Sequence, residues 1–173
     1  MYPGNGLLTQ NIDTARLAQA ISAQLNEDIP ASQVIRAVKR FNKSFLPYFR
    51  TTNVTFTATS ELSTTLTLNI DASFGFFVTG IAGVQSSEDY NGFVNTIQIN
   101  NGYNLLVEPL PFQLTTRYTG IPLQFSMYVP PVSNLQTTLR NGSTTAAATF
   151  YLTYFGYKLP RVYIDELTAG MKG

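Results

Sequence analysis

Arg36, Lys39, Arg40 and Lys43 stand at i, i+3, i+4 and i+7, so a helix would carry all four on one face, and Arg50 follows with no carboxylate in between. Such a cluster can bind anions. Its candidate partners are the phosphates of a genome, lipid headgroups, or acidic residues of a neighbouring subunit, while a solvated helix face is the bland reading of the same run. If the helix meets headgroups, each cation contributes about 1 kcal/mol near an anionic surface. The expected result is that the protein floats with anionic vesicles more than with neutral ones, that salt weakens the binding, and that changing all four to Gln abolishes it. Equal flotation of the two proteins, or none of either, would leave a solvated or subunit-facing helix.

The remaining candidates for chemistry are sparse. Glu61, Asp71, Glu88, Asp89 and Glu108 are the carboxylates of the central region, and a glycosidase needs two such groups facing each other across a cleft. Their spacing sets up no such pair, so exposed or turn-capping roles are expected. The chain has no His and no Cys, which removes Ser-His-Asp and Cys-His nucleophiles, thiolate metal sites and disulfides together. A Ser-Lys arrangement has no supporting motif. Ser86-Ser87-Glu88-Asp89-Tyr90-Asn91 holds enough oxygen for a Ca²⁺ loop but lacks the EF-hand order, and reads as a polar loop. Asn42-Lys43-Ser44, Asn53-Val54-Thr55 and Asn141-Gly142-Ser143 match the N-glycosylation pattern, which arises by chance in an Asn- and Thr-rich chain. The aromatics of Phe74-Gly75-Phe76-Phe77 and of Phe150 to Phe155 are able to stack sugars or bases, though alternation places Phe150, Leu152 and Tyr154 on one face and makes core packing the stronger reading. No catalytic, cofactor or metal site is expected.

Composition agrees with a packing role. Of 173 residues, 44% are hydrophobic, enough for one good core, and only 12% are charged, about half the usual share. Much of the surface must then be hydroxyl, amide or apolar. The formal charge of +1 gives no global drive toward nucleic acid, so no specific nucleic-acid partner is expected. The start Met1-Tyr2-Pro3-Gly4-Asn5-Gly6 lacks the basic and apolar regions of a signal peptide, and Phe74 to Val84 is too short and Gly-interrupted to span a bilayer as a helix. A soluble chain without an ordinary secretion address is the expectation.

The elements that would hold these residues fall into three regions: an N-terminal arm with helices (1–47), a β domain (48–160) and a C-terminal tail (161–173). Residues 1–10 read as an extended arm. Leu17, Ile21 and Leu25 repeat every four residues, predicting a helix from Thr14 to about Leu25 behind an Asp13 cap. A second, amphipathic helix is predicted from Pro30 to about Ser44, with Val34, Val38, Phe41 and Phe45 on its apolar face. Alternating Thr-laced segments then predict about eight strands, at 51–59, 62–70, 73–81, 92–99, 103–108, 112–119, 122–129 and 146–158, with a further one at 134–140. Asn101-Gly102 predicts a two-residue hairpin turn in which both residues take positive φ. Strands without intervening helices make the fold all-β: an antiparallel β-sandwich or jelly-roll barrel, with a short arm and helical segment ahead of it. Strands 51–59 and 146–158, near the ends of the chain, are expected as open edges for contact between subunits.

A short arm and helical preface, a single Thr-rich sandwich, sparse charge, and no Cys, His or catalytic constellation together resemble the single-β-barrel capsid proteins of viruses. With the sandwich filling nearly all of it, the chain is most similar to the small major capsid protein of tailless, membrane-containing icosahedral phages of the Thermus sphaerolipovirus type. The resemblance runs in architecture from about Arg50 to Pro160 and does not extend to the helical preface before Asn42. It implies an upright jelly roll in a virion shell, made in the host cytoplasm, joined to copies of itself (a dimer is the simplest case) and to a larger single-barrel partner, above an internal lipid membrane. It carries no catalytic residues. Phage cement or decoration proteins share this composition. A carbohydrate-binding sandwich is the alternative of a different class, requiring exposed aromatics with amide and carboxylate partners, and an enzyme ranks behind both.

Overall fold

The computed structural model of the chain describes residues 14–25, 30, 32, 46–56, 63–85, 92–102, 104–115, 123–142 and 147–169. Alternation of apolar and hydroxyl residues makes most of them strands: β1 (Leu46–Phe56), β2 (Ser63–Asn69), β3 (Phe74–Gln85), β4 (Gly92–Ile99), β5 (Leu110–Pro111), β6 (Leu123–Val129), β7 (Asn134–Asn141) and β8 (Ala148–Pro160). Helix α1 (Thr14–Leu25) precedes them and helix α2 (Arg161–Ala169) follows. All pairings are antiparallel and nested: β1 with β8, β2 with β7, β3 with β6, β4 with β5. Further pairing of β8 with β3 and of β7 with β4 joins these into two sheets, ordered β1-β8-β3-β6 and β2-β7-β4-β5. That wrapping, a long hairpin folded over so that its strands alternate between two sheets, is a jelly roll. The two sheets stay separate ladders, so the fold is an open sandwich and not a closed barrel.

Inward residues of the first sheet (Phe76, Val78, Ile81, Phe150, Leu152) form one buried cluster with those of the second (Leu68, Val94, Ile97, Leu135, Leu139). Each such side chain contributes about 1.5–3 kcal/mol by leaving water. The inward parity is even in the first half of β3 and odd after it, because a bulge lies between Val78 and Gly80; β4 switches in the same way between Val94 and Thr96. Phe112 packs edge-on to Phe150 with ring centres 4.9 Å apart, in space that exists only because Gly83 and Gly92 have no side chains there. A second cluster forms on the outside of the first sheet, where Leu17, Ala18, Ala20 and Ile21 of α1 and Tyr163 and Ile164 of α2 cover Phe77, Tyr128 and Leu159.

Helix α1 has the boundaries that its four-residue repeat predicts. The second predicted helix lies outside the described residues but for 30 and 32, and its cation cluster lies outside them altogether. Residues 161–169, expected as tail, form α2, whose apolar pair Tyr163-Ile164 docks on the sheet while Arg161 and Asp165 form an exposed ion pair at 3.7 Å. The hairpin turn is one residue earlier than expected. Asn100 and Asn101 have φ of 52° and 56°, and the Gly102 amide donates to the Ile99 carbonyl at 2.8 Å, so the type I′ pair is Asn100-Asn101. Tertiary bonds select that register: Asn100 donates from Nδ2 to Ser133 Oγ at 3.1 Å, and its Oδ1 accepts from the Asn134 amide at 2.8 Å. Beyond the turn, 104–108 is not a strand. The Asn104 side chain takes over the ladder, its Oδ1 accepting from the amides of Ile97 at 3.0 Å and Leu106 at 3.2 Å. Where the strand expected at 112–119 would begin, Phe112–Leu114 makes a 3₁₀ turn, residues 116–119 lie outside the described residues, and the prolines at 109 and 111 hold β5 to two residues. Finally, β8 is no edge: it runs between β1 and β3, because the first strand pairs with the last and β3 takes the other side of β8.

Candidate interaction surface

Of the cations singled out in the sequence, Arg36, Lys39, Arg40 and Lys43 lie outside the described residues. Arg50 is described. It sits on edge strand β1 opposite Tyr154, on the core-facing parity, yet exposed at the rim of the sandwich. Among the carboxylates, Asp71 is exposed and holds a turn, accepting from the Ser73 amide at 2.8 Å. That bond, then the Ser73 side chain and the Lys158 charge, hold its carboxyl below the usual range. Glu108 is exposed, and Glu61, Glu88 and Asp89, with the whole 86–91 segment, lie outside the described residues. Among the described residues no three metal-ligating side chains come together, and no helix is long and apolar enough to cross a membrane. Asn141, the acceptor of one glycosylation pattern, is fully buried, whereas Asn53 is exposed on β1.

Lys158 closes one end of the sandwich. Its ammonium lies 4.6 Å from the ring centre of Tyr48 and 4.3 Å from that of Phe74, a cation–π contact over rings that pack edge-to-face at 5.4 Å. Surface clefts lie elsewhere among the described residues. One, about 350 Å³, lies between α1 and β6 and is lined by Ala20, Ala23, Gln24, Leu105, Ser126 and Tyr128. Another, about 270 Å³, lies between the β6–β7 turn and α2 beside the Arg161–Asp165 pair. The first is lined by no charged side chain, and in the second the charged groups are the exposed Arg161–Asp165 pair itself.

The outer faces of the two sheets differ. On the second sheet, Thr65, Thr67, Gln98, Gln136 and Thr138 form a hydroxyl and amide surface, with Thr65 and Thr138 bonded at 2.9 Å and the Arg140 guanidinium 4.8 Å over Phe93. On the first sheet, α1 and α2 cover only the half around Phe77, Tyr128 and Leu159. Among the described residues, no helix covers the other half. There β1 presents Phe49, Thr51, Asn53 and Thr55, β8 presents Thr149, Tyr151, Thr153 and Phe155, and β3 presents Ala82 and Val84. Phe49 is 62% exposed, Val84 63% and Tyr151 41%, and Phe49 meets Phe155 edge-to-face at 5.8 Å. Thr51 bonds Thr153 and Thr55 bonds Thr149, each at 2.9 Å, which fixes the two strands side by side. None of these ten residues is charged.

The aromatic run from Phe150 to Phe155 therefore divides by parity. Phe150 and Tyr154 enter the core as expected, while Tyr151 and Phe155 face out. Alternation alone foretells the division. Which outward side chains stay bare depends on where the two helices lie, and α2 gave little sign of itself in sequence. No protein-family model matches this chain and no curated protein matches it in sequence, so its function has to be read from the fold and the surfaces just described.

Proposed function

We propose that this protein is a structural subunit of a virion, a capsid protein that assembles by self-association and by contact with other capsid proteins. The observation that supports it is the nested pairing β1/β8, β2/β7, β3/β6, β4/β5, a wrapping used by viral shell proteins. Fold alone is an argument by analogy, and the surface adds to it. Among the described residues, edge strand β1, of eleven residues, has no strand on its outer side and is the longest edge, whereas β2 has seven residues, β5 is cut to two and edge strand β6 has α1 packed against it. With few charges to keep copies apart, a homo-oligomer, most simply a dimer, is the expected state.

Light scattering after size exclusion at high micromolar concentration should give a mass of at least twice the protomer's. An antibody to the protein should label intact particles purified from the culture that produces it. A strictly monomeric protein that labels no particle would overturn the shell reading.

A further inference from the structure

The half of the first sheet's outer face that α1 and α2 leave uncovered has properties that a shell subunit does not require. It is uncharged across β1, β8 and β3, and Arg50, on the same strand, lies on the opposite parity. Its most exposed apolar side chains are Phe49, Tyr151 and Val84, and the two aromatics among them stand on β1 and β8 among threonines. Phe49 lies opposite Phe155, and Tyr151 is four residues further along β8, a separation of about 13 Å along the strands. Between them lies the Thr51–Thr153 pair, and Asn53 stands opposite Tyr151. A hydroxyl pair uses one hydrogen for its own bond, so the other hydrogen and the remaining lone pairs stay available to a ligand.

We propose that this face binds a neutral polysaccharide, an extended glycan lying across β1 and β8 with sugar rings stacked on Phe49 and Tyr151. The C–H faces of pyranose rings are apolar and fit against aromatic rings, while their hydroxyls exchange hydrogen bonds with Thr51, Thr153 and Asn53. The absence of charge selects a neutral chain, since an acidic glycan finds no cation on this face. Size argues against a protein partner here. Three strands by seven residues cover on the order of 300 Å², well below the roughly 800 Å² per partner of a stable protein interface. The proposal stands independently of the shell reading: β1 offers its backbone edge to another chain and its outer side chains to the glycan.

The test is retention of the intact protein on microcrystalline cellulose, chitin, mannan and starch, with an array of neutral oligosaccharides and with heparin as the charged control. The wild type should bind at least one neutral probe, with no loss as salt is raised. Phe49→Ala and Tyr151→Ala should each weaken binding about tenfold, Phe49→Trp should retain it, and all three should keep the wild-type melting temperature and mass. Failure to bind any neutral probe, or retention unchanged in the double alanine variant, would overturn the proposal. A change of oligomeric mass in that variant would overturn it too, by making the face a contact between copies.

Discussion

Replacing Gly156 with alanine is expected to destabilise the fold by about 3 kcal/mol or more, a large part of the roughly 5–15 kcal/mol that holds a domain of this kind together. Gly156 pairs with Val78 at the point where β3 bulges, and the two backbones approach each other so closely there that a β-carbon would overlap the Phe77 carbonyl oxygen. It would also lie 2.8 Å from the Phe77 carbonyl carbon and 2.9 Å from Val78 Cα. Backbone in the middle of a sheet cannot swing aside as a side-chain tip does. The methyl must push β8 off β3, and with it the bulge that sets the inward parity of Ile81. Urea unfolding checks this: the midpoint should fall steeply at an unchanged slope. The bulge residue itself is a control. Thr79 makes only a long 3.4 Å bond to the Phe155 carbonyl, and Thr79→Ala should cost well under half as much. Similar losses for the two variants would mean that the close approach at Gly156 is not what holds this register.

The second large effect lies between the sheets. Tyr154 of β8 and Thr137 of β7 are each 1% exposed, and their hydroxyls hydrogen-bond across the core. Tyr154→Phe leaves the Thr137 hydroxyl buried without that partner, and Thr137→Val does the same to the tyrosine, so each single change should cost about 1–3 kcal/mol. The double variant should cost clearly less than the sum, because it leaves no orphan. Additive losses would show that the two hydroxyls do not act as a pair. Burial also pushes the Tyr154 hydroxyl well above the usual tyrosine range. Its folded form therefore keeps the proton where the unfolded chain has lost it. The corresponding stability is complete below about pH 10 and falls as pH rises beyond that. Tyr154→Phe should flatten part of that alkaline loss.

How far these features were legible follows the range of the forces behind them. Leu17 and Ile21 are four residues apart, and that spacing alone places α1. The alternation in 62–70 and 146–158 likewise marks strands, because each side chain's face depends on its immediate neighbours. Asn104 shows where local reading stops. Nothing nearby says that its side chain will replace a strand's carbonyl, since that depends on Ile97 and on where Asn100 is tied to the turn at Ser133. The same holds for the candidate surface. Tyr151 is outward by parity, but its exposure depends on two helices from opposite ends of the chain reaching only the other half of the sheet.

The nesting of the strands also sets a schedule. Thr51 and Thr153, bonded side by side, are 102 positions apart. At a synthesis rate of about 5–20 residues per second, β1 waits roughly 5–20 s for its partner to be made. During that interval β3 also lacks the neighbour it will share with β1, so two long strands stay open to any other chain nearby. Contacts this distant in sequence form slowly even after release. Completion of the first sheet thus falls to the last strand, β8, which in one step pairs with β1 on one side and β3 on the other.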